Sequence, residues 1–331
     1  MNSISYGPVP SRRLGRSLGI NNIPPKICTY ACVYCQLGNT INMQVDRATF
    51  YQAGEVARAV TEQVRKVKEN GETVEYLTFV PDGEPTLDTN LGEEIGLLKP
   101  LATKIAVITN ASLIWREDVR EDLEKADWVS LKIDAVSEEV WRRIIRPHKS
   151  LELEAILGGM RDFASTFKGE LTTETMLVQG FNDNSEELEK IANFLVKLKP
   201  DKAYLAIPTR PPARKEIRAA AESAINMAYQ VFSERLSGVE YLIGYEGNAF
   251  ASTGNVKNDL LGITSVHPMR EEAVIAFLEK TGDDWAVIER LIKNDALVEL
   301  EYQGKKFYMR KLPDRAQVIK QPGKWADREE K

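Results

Sequence analysis

Cysteine and histidine are nearly missing from this chain: three cysteines and two histidines occur in 331 residues. Three thiols cannot pair completely, so a secreted disulfide framework is excluded and a reducing cytoplasm is the expected home. No apolar run approaches the roughly 20 residues needed to span a bilayer, so no membrane association is expected. Residues 1–20 carry Arg12, Arg13 and Arg16 but no apolar block, so no signal peptide is expected. Charge of one sign is lacking too. Lys and Arg number 44 against 49 Asp and Glu, a net of −5, which gives no support to broad nucleic-acid binding. Residues 301–331 depart from this balance, with nine Lys or Arg against five Asp or Glu. A solvated tail and a contact with an anionic partner such as RNA both fit that segment.

What is present is an ordinary globular composition, 43% hydrophobic and 28% charged, long enough for two or three domains. After a rigid, basic start at Gly7-Pro8-Val9-Pro10-Ser11-Arg12-Arg13, strand-like runs alternate with helix-like runs. Strands are expected at 17–23, 74–80, 104–109, 128–133, 171–178 and 202–207, with a further one at 240–245. Val56, Val60, Val64 and Val67 mark the buried stripe of the first helix. Asn184 and Glu187 form the capping pair of a later helix, and a long helix is expected over 215–236. The alternation predicts an α/β fold with a parallel sheet and functional loops at the carboxyl ends of the strands. The expected organisation is a main domain at 1–245 and a polar linker at 246–264. A second unit of two helices and a hairpin, resembling a winged helix, follows at 265–312, with a tail at 313–331.

Every cysteine lies in Cys28-Thr29-Tyr30-Ala31-Cys32-Val33-Tyr34-Cys35. A C-x3-C-x2-C loop is a short thiolate clamp. Three irons of a cubic [4Fe–4S] cluster can each take one thiolate, leaving the fourth iron open to an outside ligand. The alternative is a zinc site with His148 or His267 as fourth ligand, although zinc sites favour two ligand pairs across a longer gap.

The loop, with Tyr34 just before its third cysteine, resembles the hallmark of the radical S-adenosylmethionine (radical SAM) superfamily. Phe79-Val80-Pro81-Asp82-Gly83-Glu84-Pro85-Thr86-Leu87 is similar to that superfamily's second motif. The opening Gly7–Arg13 and Ser130-Leu131-Lys132-Ile133-Asp134-Ala135 are similar to the branch of the tRNA wyosine synthases. The resemblance spans residues 1–245. It implies a partial (β/α)6 barrel with one [4Fe–4S] cluster at its mouth, held by Cys28, Cys32 and Cys35, and SAM on the open iron. It implies that Gly83, Glu84 and Pro85 receive the methionine ammonium, and that Thr109, Asn110, Ser130, Lys132 and Asp134 meet the ribose and the methionine carboxylate. Tyr34 and Val178 are expected beside the adenine. Lys132 and Asp134 share one side of their strand, so an internal ion pair is the alternative for them.

The implied reaction is reductive cleavage of SAM to methionine and a 5′-deoxyadenosyl radical, which abstracts hydrogen from a substrate. An electron donor such as flavodoxin or ferredoxin is the implied partner. Candidate substrate contacts are Arg12, Arg13, Glu174, Asn182, Thr209 and Arg210; each also suits a structural role. Wyosine synthases carry further cysteines for a second cluster, and this chain has none, so a stand-alone, single-cluster member is expected. The competing class is a metal-binding regulator with a cysteine sensor loop and a DNA-binding winged helix. A simple electron carrier would need a fourth cysteine.

Overall fold

The computed structural model describes residues 3–244, 247–248 and 250–311. An N-terminal hairpin, β1 (Ser5–Ser11) and β2 (Gly15–Ile20), precedes the cysteine loop, whose ends form the short parallel pair β3 (Ile27–Cys28) and β4 (Asn42–Met43). The alternation follows. It runs through α1 (Ala53–Glu69), β5 (Tyr76–Phe79), α2 (Leu91–Leu98), β6 (Lys104–Thr109) and α3 (Glu117–Leu123). Next come β7 (Trp128–Lys132), α4 (Glu138–Ile144), α5 (Leu153–Thr166), β8 (Glu170–Met176) and α6 (Ser185–Leu198). It ends with β9 (Lys202–Ala206), α7 (Glu222–Ser233) and β10 (Val239–Leu242).

Eight strands form one curled sheet in the order β1-β2-β5-β6-β7-β8-β9-β10, an open half-barrel. All neighbours are parallel except β1, which runs antiparallel to β2. The six expected strands are all present, so the expected partial barrel is the observed fold. Those six, β2 and β5 to β9, are bonded to strands on both sides, β1 and β10 are the edges, and helices cover the outside. The valine stripe of α1 is buried as expected, and each such side chain stabilises the fold by about 1.5–3 kcal/mol.

Three elements differ from expectation. The Gly7–Ser11 stretch is an edge strand, where Pro8 and Pro10 cost no ladder bond on the open side. The helix expected from residue 215 begins at Glu222. The preceding backbone is drawn onto the loop after β8 instead, with Gln179 N donating to Arg218 O at 3.1 Å. The expected linker holds a helix, α8 (Val256–Thr264), whose Leu260 and Ile263 are fully buried. Val256, Leu260 and Ile263 fall at i, i+4 and i+7, a helical stripe only two turns long inside a polar segment.

Beyond α8 lie β11 (Met269–Arg270), α9 (Glu271–Thr281), α10 (Ala286–Lys293), β12 (Leu297–Tyr302) and β13 (Lys305–Arg310). The strands form a separate antiparallel sheet in the order β11-β13-β12. Its hairpin turns at Gln303-Gly304, where φ is 52° and 70°, the paired positive values of a tight primed turn. Phe250, Leu260, Met269, Phe277, Ile288 and Tyr308 build a second core. This unit closes the free edge of the main sheet: α8 packs on β1, and Ala251 N donates to Pro8 O at 3.0 Å. The end of the strand expected to reach Tyr245, and the tail at 313–331, lie outside the described residues.

Candidate active site

The cysteine loop is held by the residues between its thiols. Tyr30 and Val33 are buried, Tyr30 edge-on to Trp141 with ring centres 6.1 Å apart. Val33 N donates to Ile144 O at 3.0 Å, and Cys35 N to Cys32 O at 3.1 Å. The three cysteines stay partly exposed and all line one cavity of about 310 Å³ at the carboxyl ends of the strands. Burial pushes the Cys28 thiol up to about 12, with Glu84 adding to the shift. Burial likewise raises Cys32 and Cys35. Thiols so placed become thiolates when a strongly positive group binds them.

That donor set fits a multi-iron group better than a single ion. Among the described residues no three His, Cys, Asp or Glu side chains converge to hold one metal ion. Neither histidine lines the cavity. His148 Nδ1 is hydrogen-bonded with Ser150 Oγ at 2.8 Å, and His267 lies edge-on to Phe250 and against Arg210. The zinc alternative therefore has no fourth ligand at the thiols.

The turn after β5 packs directly on this loop. Glu84 N donates to Ile27 O at 3.2 Å. The Glu84 carboxylate is buried and organises the adjoining strand ends. Oε1 accepts from Thr86 N at 3.0 Å, Thr86 Oγ1 at 2.6 Å and Thr109 Oγ1 at 2.6 Å, and Oε2 accepts from Asn110 N at 2.8 Å. Burial still raises its carboxyl above the usual range, those donors notwithstanding. Asn110 Nδ2 reaches back to Thr29 Oγ1 at 2.9 Å and stands 3.5 Å from Cys28 Sγ. Gly83, Glu84, Thr109 and Asn110 thus line the cavity together with the thiols.

The opposite wall carries a connected chain of charges. Glu174 bridges Arg13 and Lys132, Lys132 Nζ lies 3.8 Å from Asp134 Oδ1, and the Tyr34 hydroxyl donates to Asp134 Oδ2. Lys132 also lies over the Tyr34 ring, 5.2 Å from its centre. Asp134 Oδ1 accepts from Met176 N at 2.6 Å. Burial alone would raise Glu174, but Lys132 and Arg13 outweigh it and hold the carboxyl down near about 2. The internal pairing weighed for Lys132 and Asp134 is therefore present, with Glu174 as a third member.

Arg12, Arg13, Glu174, Thr209 and Arg210 line the cavity, as do Tyr34 and Lys132. Pro85, Ser130, Asp134, Val178 and Asn182 do not. Val178 lies behind the wall: β8 ends at Met176, and Val178 is fully buried in the main core. Met176 and Ile108 occupy the cavity wall instead. Asn182 is buried as well, and its side-chain amide is bonded to backbone. It donates to Asp134 O and Met176 O, each at 2.8 Å, and accepts from Val178 N at 2.9 Å. Gln36 and Leu37 also line the cavity; their place beside Cys35 was the available signal. At the rim the C-terminal unit touches the site. Gln36 Nε2 donates to Val266 O at 3.3 Å, Arg210 contacts Gln36 Oε1 at 2.7 Å, and Tyr302 Oη donates to Pro208 O at 3.1 Å.

Residues 22–195 match the model of the family described as the radical SAM superfamily. The chain is 46% identical over 322 residues to a UPF0026 protein of Methanocaldococcus jannaschii, covering 97% of this chain and 100% of that one. Among solved structures, it is similar to TYW1 with a lysine–pyruvate adduct bound, with a TM-score of 0.53 and 20% identity over 67% of this chain and 74% of the other. It is similar also to a radical SAM methyltransferase from Sphaerobacter thermophilus, with a TM-score of 0.52 and 17% identity over 69% and 66%. These two likenesses establish the shared fold.

Proposed function

The chain belongs to the radical SAM superfamily, and from that premise we propose that it holds one [4Fe–4S] cluster on Cys28, Cys32 and Cys35 and binds SAM in the cavity they line. The observation that carries this is the meeting of all three thiols with Glu84, Thr109, Asn110 and Lys132 on one cavity wall system. When bound, cluster and SAM supply one-electron cleavage of the sulfonium and hydrogen-atom abstraction from a substrate C–H.

The chain's own residues position and shield that chemistry. Glu84 Oε2 accepts a single hydrogen bond, so it is the oxygen left to meet the methionine ammonium, with the Gly83–Pro85 turn around it. Thr109, Asn110 and Lys132 serve the ribose and the carboxylate, with Asp134 behind them against Lys132. Tyr34 is fixed for the adenine by Asp134. Arg12, Thr209 and Arg210 form the substrate side, and Arg13 and Glu174 hold that wall in place. Apolar Val80, Ile108, Met176 and Leu242 exclude water that would otherwise compete for a reactive species. A reductant is required by such chemistry; a donor such as flavodoxin or ferredoxin in a reducing cytoplasm fits. Among the described residues no helix is long and apolar enough to cross a membrane.

We infer further that residues 256–310 form a winged helix, since they run helix, strand, helix, helix, strand, strand. Its role is to cap the cavity rim. Lys305 and Lys306 of its hairpin, and Lys311 after it, are paired with Glu272, Glu271, Glu299 and Asp295, so these three lysines do not form an unpaired basic cluster.

The test is anaerobic reconstitution with iron and sulfide, then incubation with SAM and dithionite. The expected result is a broad visible absorbance and formation of 5′-deoxyadenosine. Binding of zinc alone with no 5′-deoxyadenosine overturns the proposal.

A further inference from the structure

Lys26 is a buried charge that the chemistry above leaves unused. It lies two residues before Cys28, is 4% exposed, and holds the left-handed φ of 67° that a lysine rarely adopts. Its backbone joins three segments. Lys26 N donates to Asp82 O at 2.7 Å, and Lys26 O accepts from Ile41 N at 3.1 Å and Asn42 N at 3.0 Å. The backbone of Lys26 is therefore anchored both to the segment leaving the loop and to the turn after β5.

Nζ stands 3.2 Å from Asp82 Oδ1, yet neither Nζ nor Asp82 Oδ2 finds a hydrogen-bond partner of good geometry among the described residues. An ammonium so deeply buried and incompletely satisfied is costly. A β-carbon on Gly38 would lie 3.9 Å from Nζ, and Gly38 N is bonded to Cys35 O at 3.2 Å. The charge thus lies at the Cys35 end of the loop.

We propose that the Lys26 ammonium, tempered by Asp82, sets the reduction potential of the cluster on Cys28, Cys32 and Cys35. This rests on the cluster assignment above. Reduction brings one electron from the external donor onto the cluster, with no proton and no bond made or broken. A fixed positive charge nearby favours the reduced form and raises the potential; a fixed negative charge does the opposite. Lys26 and Asp82 are thus opposed charges whose removal has opposite signs.

The experiment is an EPR-monitored redox titration of the reconstituted full chain, with iron and sulfide content measured beside it. Lys26→Met is expected to lower the reduced-to-oxidised ratio about tenfold at fixed potential, a downward shift of about 59 mV for one electron. Asp82→Asn is expected to shift the midpoint upward, and Lys26→Arg to stay near wild type. Lys26→Met with full cluster content and an unchanged midpoint overturns the inference. If Lys26→Met fails to retain iron, the sign of the Asp82→Asn shift decides, and an unchanged or lowered midpoint overturns it. A wild-type chain that takes up no cluster overturns the underlying assignment instead.

Discussion

Gly83 lies so close to Ile27 that a β-carbon at position 83 would sit 2.0 Å from the Ile27 carbonyl oxygen. That oxygen also accepts from Glu84 N, so the turn after β5 and the strand leading to Cys28 are locked at this contact. The second motif therefore acts partly by shape. Gly83→Ala forces the two backbones apart and is expected to destabilise the chain by about 1–3 kcal/mol, the usual cost of overpacking, and to reduce iron retained after reconstitution. Thermal unfolding and iron analysis check it. Unchanged melting and iron content would show that the contact relaxes freely.

Glu84 has two tasks in the structure, as a candidate partner of SAM and as the acceptor for four protein donors. Glu84→Ala leaves Thr86 N, Asn110 N and two hydroxyls without their acceptor. At about 1–3 kcal/mol for each buried donor left unmade, less whatever water recovers, a clear loss of stability is expected together with weaker SAM binding. Calorimetric SAM titration of the cluster-loaded variant, beside its melting curve, separates the two tasks. Wild-type SAM affinity in a destabilised variant would mean that Glu84 is structural only.

The barrel was legible because buried strands write themselves as β-branched runs, such as Ile105 to Thr109, and the thiol triplet was legible because its spacing is short and local. Other parts were invisible for physical reasons. β1 carries two prolines, which read as a break until the strand is known to lie on an edge. α8 carries the helical spacing Val256, Leu260 and Ile263 over only two turns of a polar segment, and its burial depends on packing against β1 and β13. Val178 follows directly on Met176 and Leu177 in an apolar triplet, so nothing local marks the strand's end at Met176 or its turn into the core. The pairing of Glu174 with Arg13 joins residues 161 positions apart, which no local pattern reports. Asn184 was read correctly as a cap, accepting from Glu187 N at 3.0 Å. Its partner Glu187 goes elsewhere, accepting from Val136 N and Ser137 N.

The Arg13–Glu174–Lys132 bridge gives an acid-side prediction. The Glu174 carboxyl is held down near about 2 in the folded chain, against about 4.3 when unfolded. Its contribution is then fully present above the unfolded value and is lost as pH falls toward the folded one. That difference corresponds to about 3 kcal/mol. Glu174→Gln should be destabilised at neutral pH by roughly that amount, and its stability should fall less steeply than wild type between pH 4 and pH 2 (approximately the window set by those two values). Denaturant unfolding across that window checks it; parallel pH profiles would remove the bridge as a source of stability.

A base-side prediction comes from under α2. Glu94 is fully buried, and neither of its carboxylate oxygens finds a hydrogen-bond partner among the described residues. Asp88 Oδ2 and Asn22 Oδ1 are in the same condition. Burial, then the neighbouring Asp88 charge, push the Glu94 carboxyl up to about 9, and burial raises Asp88 as well. At neutral pH the folded chain thus keeps a proton that the unfolded chain releases. A raised acid contributes stability that is full below the unfolded value of about 4.3 and is lost as pH rises through the folded one. Wild type should therefore weaken steadily from mildly acidic pH toward pH 9, where the charge would have to be buried. Glu94→Gln carries no such proton and is expected to flatten that decline, melting above wild type at pH 9 and near or below it at pH 5. Melting curves of the two proteins across this range decide it. A Glu94→Gln profile that runs parallel to wild type would mean that Glu94 releases its proton at the same pH folded and unfolded, and would overturn the raised value.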